Sequence, residues 1–101
     1  MSSVTNFAID PGANPKRLSR LPWREVDGRM VVIQPQKGEV HELNGVGAFL
    51  WTQLDGSFSI LQIAENVSNQ FEVSSEIASL DVSAFVEQLS SLGLLEPGSS
   101  N

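Results

Sequence analysis

The sequence predicts an α+β domain, a three-stranded antiparallel β-meander followed by three α-helices. Three observations carry this. Asp27-Gly28 stands between two short strand-like runs, a strong hairpin signal because both residues tolerate positive φ. The apolar period then changes from two to helical between Leu43 and Val46. Finally, Ser59 and Gln62 have capping-box spacing ahead of a regular apolar stripe.

The elements follow in order. Residues 1–20 are polar, broken by Pro11, Gly12 and Pro15, and have no period; a disordered arm is expected. The first strand covers residues 23–26, and Met30-Val31-Val32-Ile33 returns from the turn as a β-branched second strand. A two-residue loop sets Trp23 opposite Val32 and Glu25 opposite Met30. Pro35-Gln36-Lys37-Gly38 is a second turn, leading to a short, mixed third strand at 39–43. With His41 and Glu42 inside it, this strand suits a sheet edge with free backbone groups.

Asn44 is expected to cap the first helix, whose apolar face is Val46, Leu50, Trp51 and Leu54 with Phe49 beside it. Asp55-Gly56 ends it. The second helix, about 59–70, has Phe58 and Ile63 as a hydrophobic staple around its capping box and stacks Ile60, Ile63, Ala64, Val67 and Phe71 on one face. The third, about 76–92, repeats Ala78, Val82, Phe85, Leu89 and Leu92 at core spacing, with Val86 widening the stripe. Gly93 suits a left-handed C-terminal cap, with Leu94 touching Leu89. Trp23 and Trp51 are read as core. Two short helices and a longer third beside a small sheet make a winged helix-turn-helix-like domain over 21–96, followed by a flexible tail at 97–101.

Composition excludes several functions. The 101 residues suffice for one small core. There is no cysteine and a single histidine, His41, so thiol nucleophiles, disulfides and multi-histidine metal sites are out. No nucleophile–base pair or Gly-rich phosphate loop is present, so neither catalysis nor a cofactor or metal is expected. Neither a membrane-spanning run nor a signal peptide is seen, and a cytoplasmic protein with no membrane partner is the expectation. All six Lys and Arg lie at or before position 37, whereas nine of the twelve acidic residues follow it. The helical half is either a solvated acidic surface or one that attracts a basic partner and repels nucleic acid. A DNA-binding winged helix needs cations on its recognition helix, and the third helix has none.

Leu43-Asn44, an apolar helix with Ala48, Leu50 and Trp51, then Asp55-Gly56, Ile60…Ile63-Ala64, Leu80-Asp81-Val82…Phe85-Val86…Leu89 and Gly93-Leu94 together resemble the PqqD family. These are small proteins of pyrroloquinoline quinone (PQQ) biosynthesis and related peptide-modification pathways, and the resemblance spans about 23–96. It implies a RiPP recognition element, a peptide chaperone that binds the leader of a ribosomally made precursor. The leader would add to the third strand, rest on the third helix, and be presented to a maturation enzyme, commonly a radical S-adenosylmethionine enzyme.

Carried onto this sequence, the peptide-binding residues are Glu39, Val40, His41, Glu42 and Leu43 on the strand, with Asp81, Ala84, Phe85 and Gln88 on the helix. The residues themselves agree in part. An edge strand offers alternate N–H and C=O groups for strand addition. Asp81, Ala84, Gln88 and Ser91 lie beside the core stripe at helical spacing. Asp81 is either a solvated charge or a partner for a basic leader residue, and His41 is an ordinary strand residue. The same edge serves equally for self-pairing in a homodimer.

Overall fold

Asp27 and Gly28 have φ of 52° and 79°, the pair of positive values that a tight two-residue hairpin requires. The computed structural model describes residues 12–96. Strand β1 (Trp23–Val26) and strand β2 (Arg29–Gln34) flank this turn, and β3 (Glu39–Asn44) completes an antiparallel sheet of order β1-β2-β3. Trp23 pairs with Val32 and Glu25 with Met30, the register set by the turn. The second turn is a 3-10 segment at Pro35–Lys37 closed by Gly38 at φ 63°. Helices α1 (Val46–Gln53), α2 (Ile60–Phe71) and α3 (Ser75–Ser91) follow.

The helices cover one face of the sheet. Met30 and Val32 reach inward from β2 to Leu50, Trp51 and Leu54 of the first helical segment and to Ile63, Val67, Ala78, Val82, Val86 and Leu89 of the other two. The Ser59 hydroxyl accepts from the Gln62 N–H at 3.1 Å, while the Gln62 side chain accepts from the Ser59 N–H at 2.8 Å, completing the capping box. Ser74 caps α3 in the same sense, accepting from Ile77 N–H. At its other end Gly93 takes φ 78°, and Leu94 N–H returns to the Leu89 carbonyl. Those paired bonds from Gly93 and Leu94 satisfy carbonyls that a helix end otherwise leaves open.

Three expectations change. Asn44 does not cap α1: it belongs to β3, opposite Arg29, and Gly45 at φ 57° makes the corner instead. The strand needs one more residue than its apolar pattern shows, and only glycine turns so sharply there without strain. Trp23 is not core; it is 39% exposed and stands edge-on to the fully buried Trp51.

The third change is the arm. Residues 12–20 lie along the body as a strap. Arg17 N–H donates to the Leu54 carbonyl, Leu18 N–H to Leu94, Gly56 N–H to Pro15 and Glu96 N–H to Lys16. The Arg17 guanidinium sits 5.0 Å from the Trp23 ring and 5.9 Å from the Trp51 ring, and donates to the Trp51 carbonyl at 3.0 Å. The strap has no apolar period; its backbone bonds, one cation between two indoles, the buried Pro15 and Leu18 against the core hold it. Residues 1–11 of the expected arm and the tail at 97–101 lie outside the described residues.

Beside the strap, Asp55 accepts from the Ser57 hydroxyl and amide, which hold its carboxyl below the ordinary range, with a smaller contribution from the field of Arg17. A depressed folded-state pKa means that ionised Asp55 favours the fold above the ordinary carboxylate range and loses this as pH falls through its own value. Ser57→Ala should raise the Asp55 midpoint in an NMR titration of the carboxyl carbon. An unmoved midpoint would deny the serine its role.

Candidate functional site

β3 is an edge strand with its outer side open among the described residues. Which of its backbone groups face outward follows from one bond. Ile33 N–H donates to the Pro22 carbonyl, on the β1 side. Direction alternates along a strand, so Val32 faces β3 and its partner His41 faces back toward it. Val40 and Glu42, paired with Ile33 and Val31, therefore present N–H and C=O to the free edge. Their side chains stand on the uncovered sheet face, where Glu42 pairs with Arg29. Those of Glu39, His41 and Leu43 turn to the helical side.

The sequence-predicted strand residues thus split into two sets with different work. His41 Nε2 lies 3.0 Å from Gln34 Oε1, and Gln34 Nε2 donates to the Leu92 carbonyl at 3.0 Å. An amide oxygen only accepts, so His41 Nε2 carries the hydrogen in this arrangement. Buried Gln34 ties β3 to the end of α3, and the Glu39 carboxylate stands 3.6 Å from the same imidazole nitrogen. Glu39 and His41 hold the strand in place, whereas Val40 and Glu42 offer its edge.

The predicted helix residues meet in one place. Asp81, Ala84, Phe85 and Gln88 of α3 line a shallow cleft of about 260 Å³, whose other wall is Val46, Gly47 and Leu50 of α1. Gly47 is where strand and helices converge. A Cβ there would stand 3.4 Å from the Phe85 ring and 3.7 Å from the Leu43 Cβ. The absence of a side chain at Gly47, beside the Phe85 ring, keeps the cleft open. The α1 wall was not foreseen, since Val46 and Leu50 read only as core; the glycine inside an apolar helix was the one signal. Ile77 and Leu80, 52% and 69% exposed, prolong the α3 flank toward its N-terminus as an apolar step. Asp81 has no ion-pair or hydrogen-bond partner among the described residues.

The family profile described as Coenzyme PQQ synthesis protein D (PqqD) matches residues 29–95, well over half of the chain. The chain belongs to the PqqD family. The profile runs from the start of β2 through the Gly93 cap, so both walls of the cleft and the open edge lie inside the PqqD-matched region. No curated protein shows significant sequence similarity.

Solved structures share the fold. Lasso peptide synthetase B1, solved with the leader peptide, is 25% identical with TM-score 0.75, covering 84% of this chain and 100% of that one. TbiB1 in complex with the TbiA(beta) leader peptide is 22% identical with TM-score 0.74, over 81% of this chain and 95% of that one. The PqqD truncation of Methylobacterium extorquens PqqCD, described as a functional, stand-alone RiPP recognition element, is 17% identical with TM-score 0.73, over 90% and 97%. The meander followed by three helices is therefore the fold of this PqqD-like group. No helix among the described residues is long and apolar enough to cross a membrane.

Proposed function

We propose that this PqqD-family chain is a non-catalytic cytoplasmic chaperone that binds the leader of a ribosomally made precursor peptide. It then presents the precursor to a maturation enzyme of PQQ or related RiPP biosynthesis, of the radical S-adenosylmethionine type. The observation that carries this reading is the outward backbone of Val40 and Glu42 beside a cleft lined by Asp81, Ala84, Phe85 and Gln88. An extended leader adds antiparallel to β3 through main-chain bonds, and its alternate side chains enter the cleft. Lasso peptide synthetase B1, of the same fold, is a leader-peptide complex, which supports the class of ligand.

Asp81 lines the cleft, Glu39 lies on β3 and Glu76 in the first turn of α3, and α3 carries no Lys or Arg. A leader with a basic residue opposite Asp81 suits this field, and a phosphate backbone does not. Calorimetric titration with the precursor leader, with a DNA duplex as control, should show peptide binding alone. Duplex binding without peptide binding would overturn the reading, and dimerisation that excludes the leader would reassign the edge to self-pairing. Asp81→Asn should weaken a basic leader by roughly 0.5–2 kcal/mol. The difference should shrink in high salt, because exposed charges are screened over ~8–10 Å at physiological ionic strength. An unchanged affinity would leave Asp81 a solvated charge.

A further inference from the structure

A second recess lies between the strap, the β2–β3 turn and the end of α3. It has a volume of about 320 Å³, larger than the cleft, and shares no lining residue with it. Its apolar side is Leu18, Leu21 and Pro35; its polar side is Arg20, Gln34 and Lys37. No acidic side chain lines it, in a chain with twice as many acidic as basic residues. Arg20 makes no ion pair or hydrogen bond among the described residues. Lys37 Nζ donates to the Leu92 carbonyl at 3.3 Å, which leaves other ammonium hydrogens free. Gln34 is held between His41 and Leu92 and so forms a fixed wall.

We propose that this recess takes an acidic–apolar segment of a partner protein. A carboxylate sits against Arg20 and Lys37, and a neighbouring aliphatic side chain lies on Leu18, Leu21 and Pro35. Charge complementarity selects the sign, because two cations share a recess with no anion to offset them. The volume selects the size: it is about ten times a water's share of liquid volume (~30 Å³), far more than a lone carboxylate fills. Two cations in a chain of net charge −6 are too few for the extended phosphate array of nucleic acid or an anionic membrane, whereas a single carboxylate needs no more. Recess and leader cleft have no lining residue in common, so the inference does not rest on leader binding.

The test is an amide-resolved NMR titration of the full chain with the capped peptide acetyl-Leu-Glu-Leu-Glu-amide. Its Gln counterpart serves as control. Shifts should gather at residues 18–21, 34–37 and Gly93 and be lost with the Gln peptide. Arg20→Gln should weaken binding about fivefold, the size of a single exposed charge contact. It should leave the remaining spectrum unchanged, since Arg20 has no internal partner to lose. Equal shifts with the Gln peptide, shifts spread evenly over Arg24 and Arg29, or none at millimolar probe would each overturn the proposal. So would a precursor leader that shifts this recess rather than β3 and α3.

Discussion

Trp51→Ala should destabilise the fold by about 3–5 kcal/mol, the range for removing a large buried aromatic. Domains of this kind have only about 5–15 kcal/mol to lose, so the variant should be partly unfolded at ambient temperature. The side chain is fully buried on α1, between the sheet and the other helices. It also meets Trp23 edge-on at 6.4 Å between centroids and lies 5.9 Å from the Arg17 guanidinium. The truncation therefore removes core volume and half of the clamp on the strap together. Trp51→Phe separates these effects. The indole N–H is buried without a hydrogen-bond partner among the described residues. Phenylalanine keeps a ring and removes that unpaired donor, whose burial costs about 1–3 kcal/mol. It should therefore cost much less than alanine. Urea unfolding followed by far-ultraviolet circular dichroism measures both. A loss below about 1 kcal/mol for Trp51→Ala would mean that α1 is not a keystone of the core, since even single buried methylenes approach that value.

Where local chemistry decides the structure, the sequence was legible. Asp27-Gly28 specifies its own turn and therefore the Trp23–Val32 register, and Ser59 with Gln62 specifies a helix start. Gly93 and Leu94 likewise announce the end of α3. The strap was not legible, because what orders it is distant in sequence. The Leu54 and Leu94 carbonyls accept from Arg17 and Leu18 only after the helices have assembled. Polar composition shows the lack of a core-facing stripe, but not a cation that fits between two indoles. Asn44 misled for a related reason. Its capping preference is local, whereas its place opposite Arg29 is set by the sheet.

The candidate site was legible by family resemblance and helical spacing on the α3 side, where Asp81, Ala84 and Gln88 fall on one flank. Two things needed the structure. Spacing along α3 cannot say which residues of α1 oppose it, so Val46, Gly47 and Leu50 stayed hidden in a core pattern. The direction of each strand N–H depends on which neighbour claims it, and that follows from the Ile33–Pro22 bond. His41, one of the five strand residues that the resemblance implies, faces inward and is held by Gln34.

That parity yields the sharpest prediction about binding. Val40→Pro should reduce leader affinity at least about tenfold, or ~1.4 kcal/mol, while the helices remain intact. Val40 is 66% exposed and its N–H points away from β2, so the sheet loses no ladder bond. Proline asks the preceding residue to stay extended, which Glu39 already is within β3. What disappears is one outward donor, worth about 0.5–1.5 kcal/mol, and the ring then stands where an added strand must close up. Val40→Ala keeps the backbone and should change affinity little if main-chain bonds carry the complex. His41→Pro is the inward counterpart: its N–H serves β2 and its ring meets Gln34, so it should damage the sheet itself. Calorimetry with the leader gives the affinities, and circular dichroism with thermal unfolding gives the integrity of each variant. A Val40→Pro protein that folds normally and binds the leader at full strength would exclude strand addition at β3. The cleft between α1 and α3 would then have to hold the peptide without the edge.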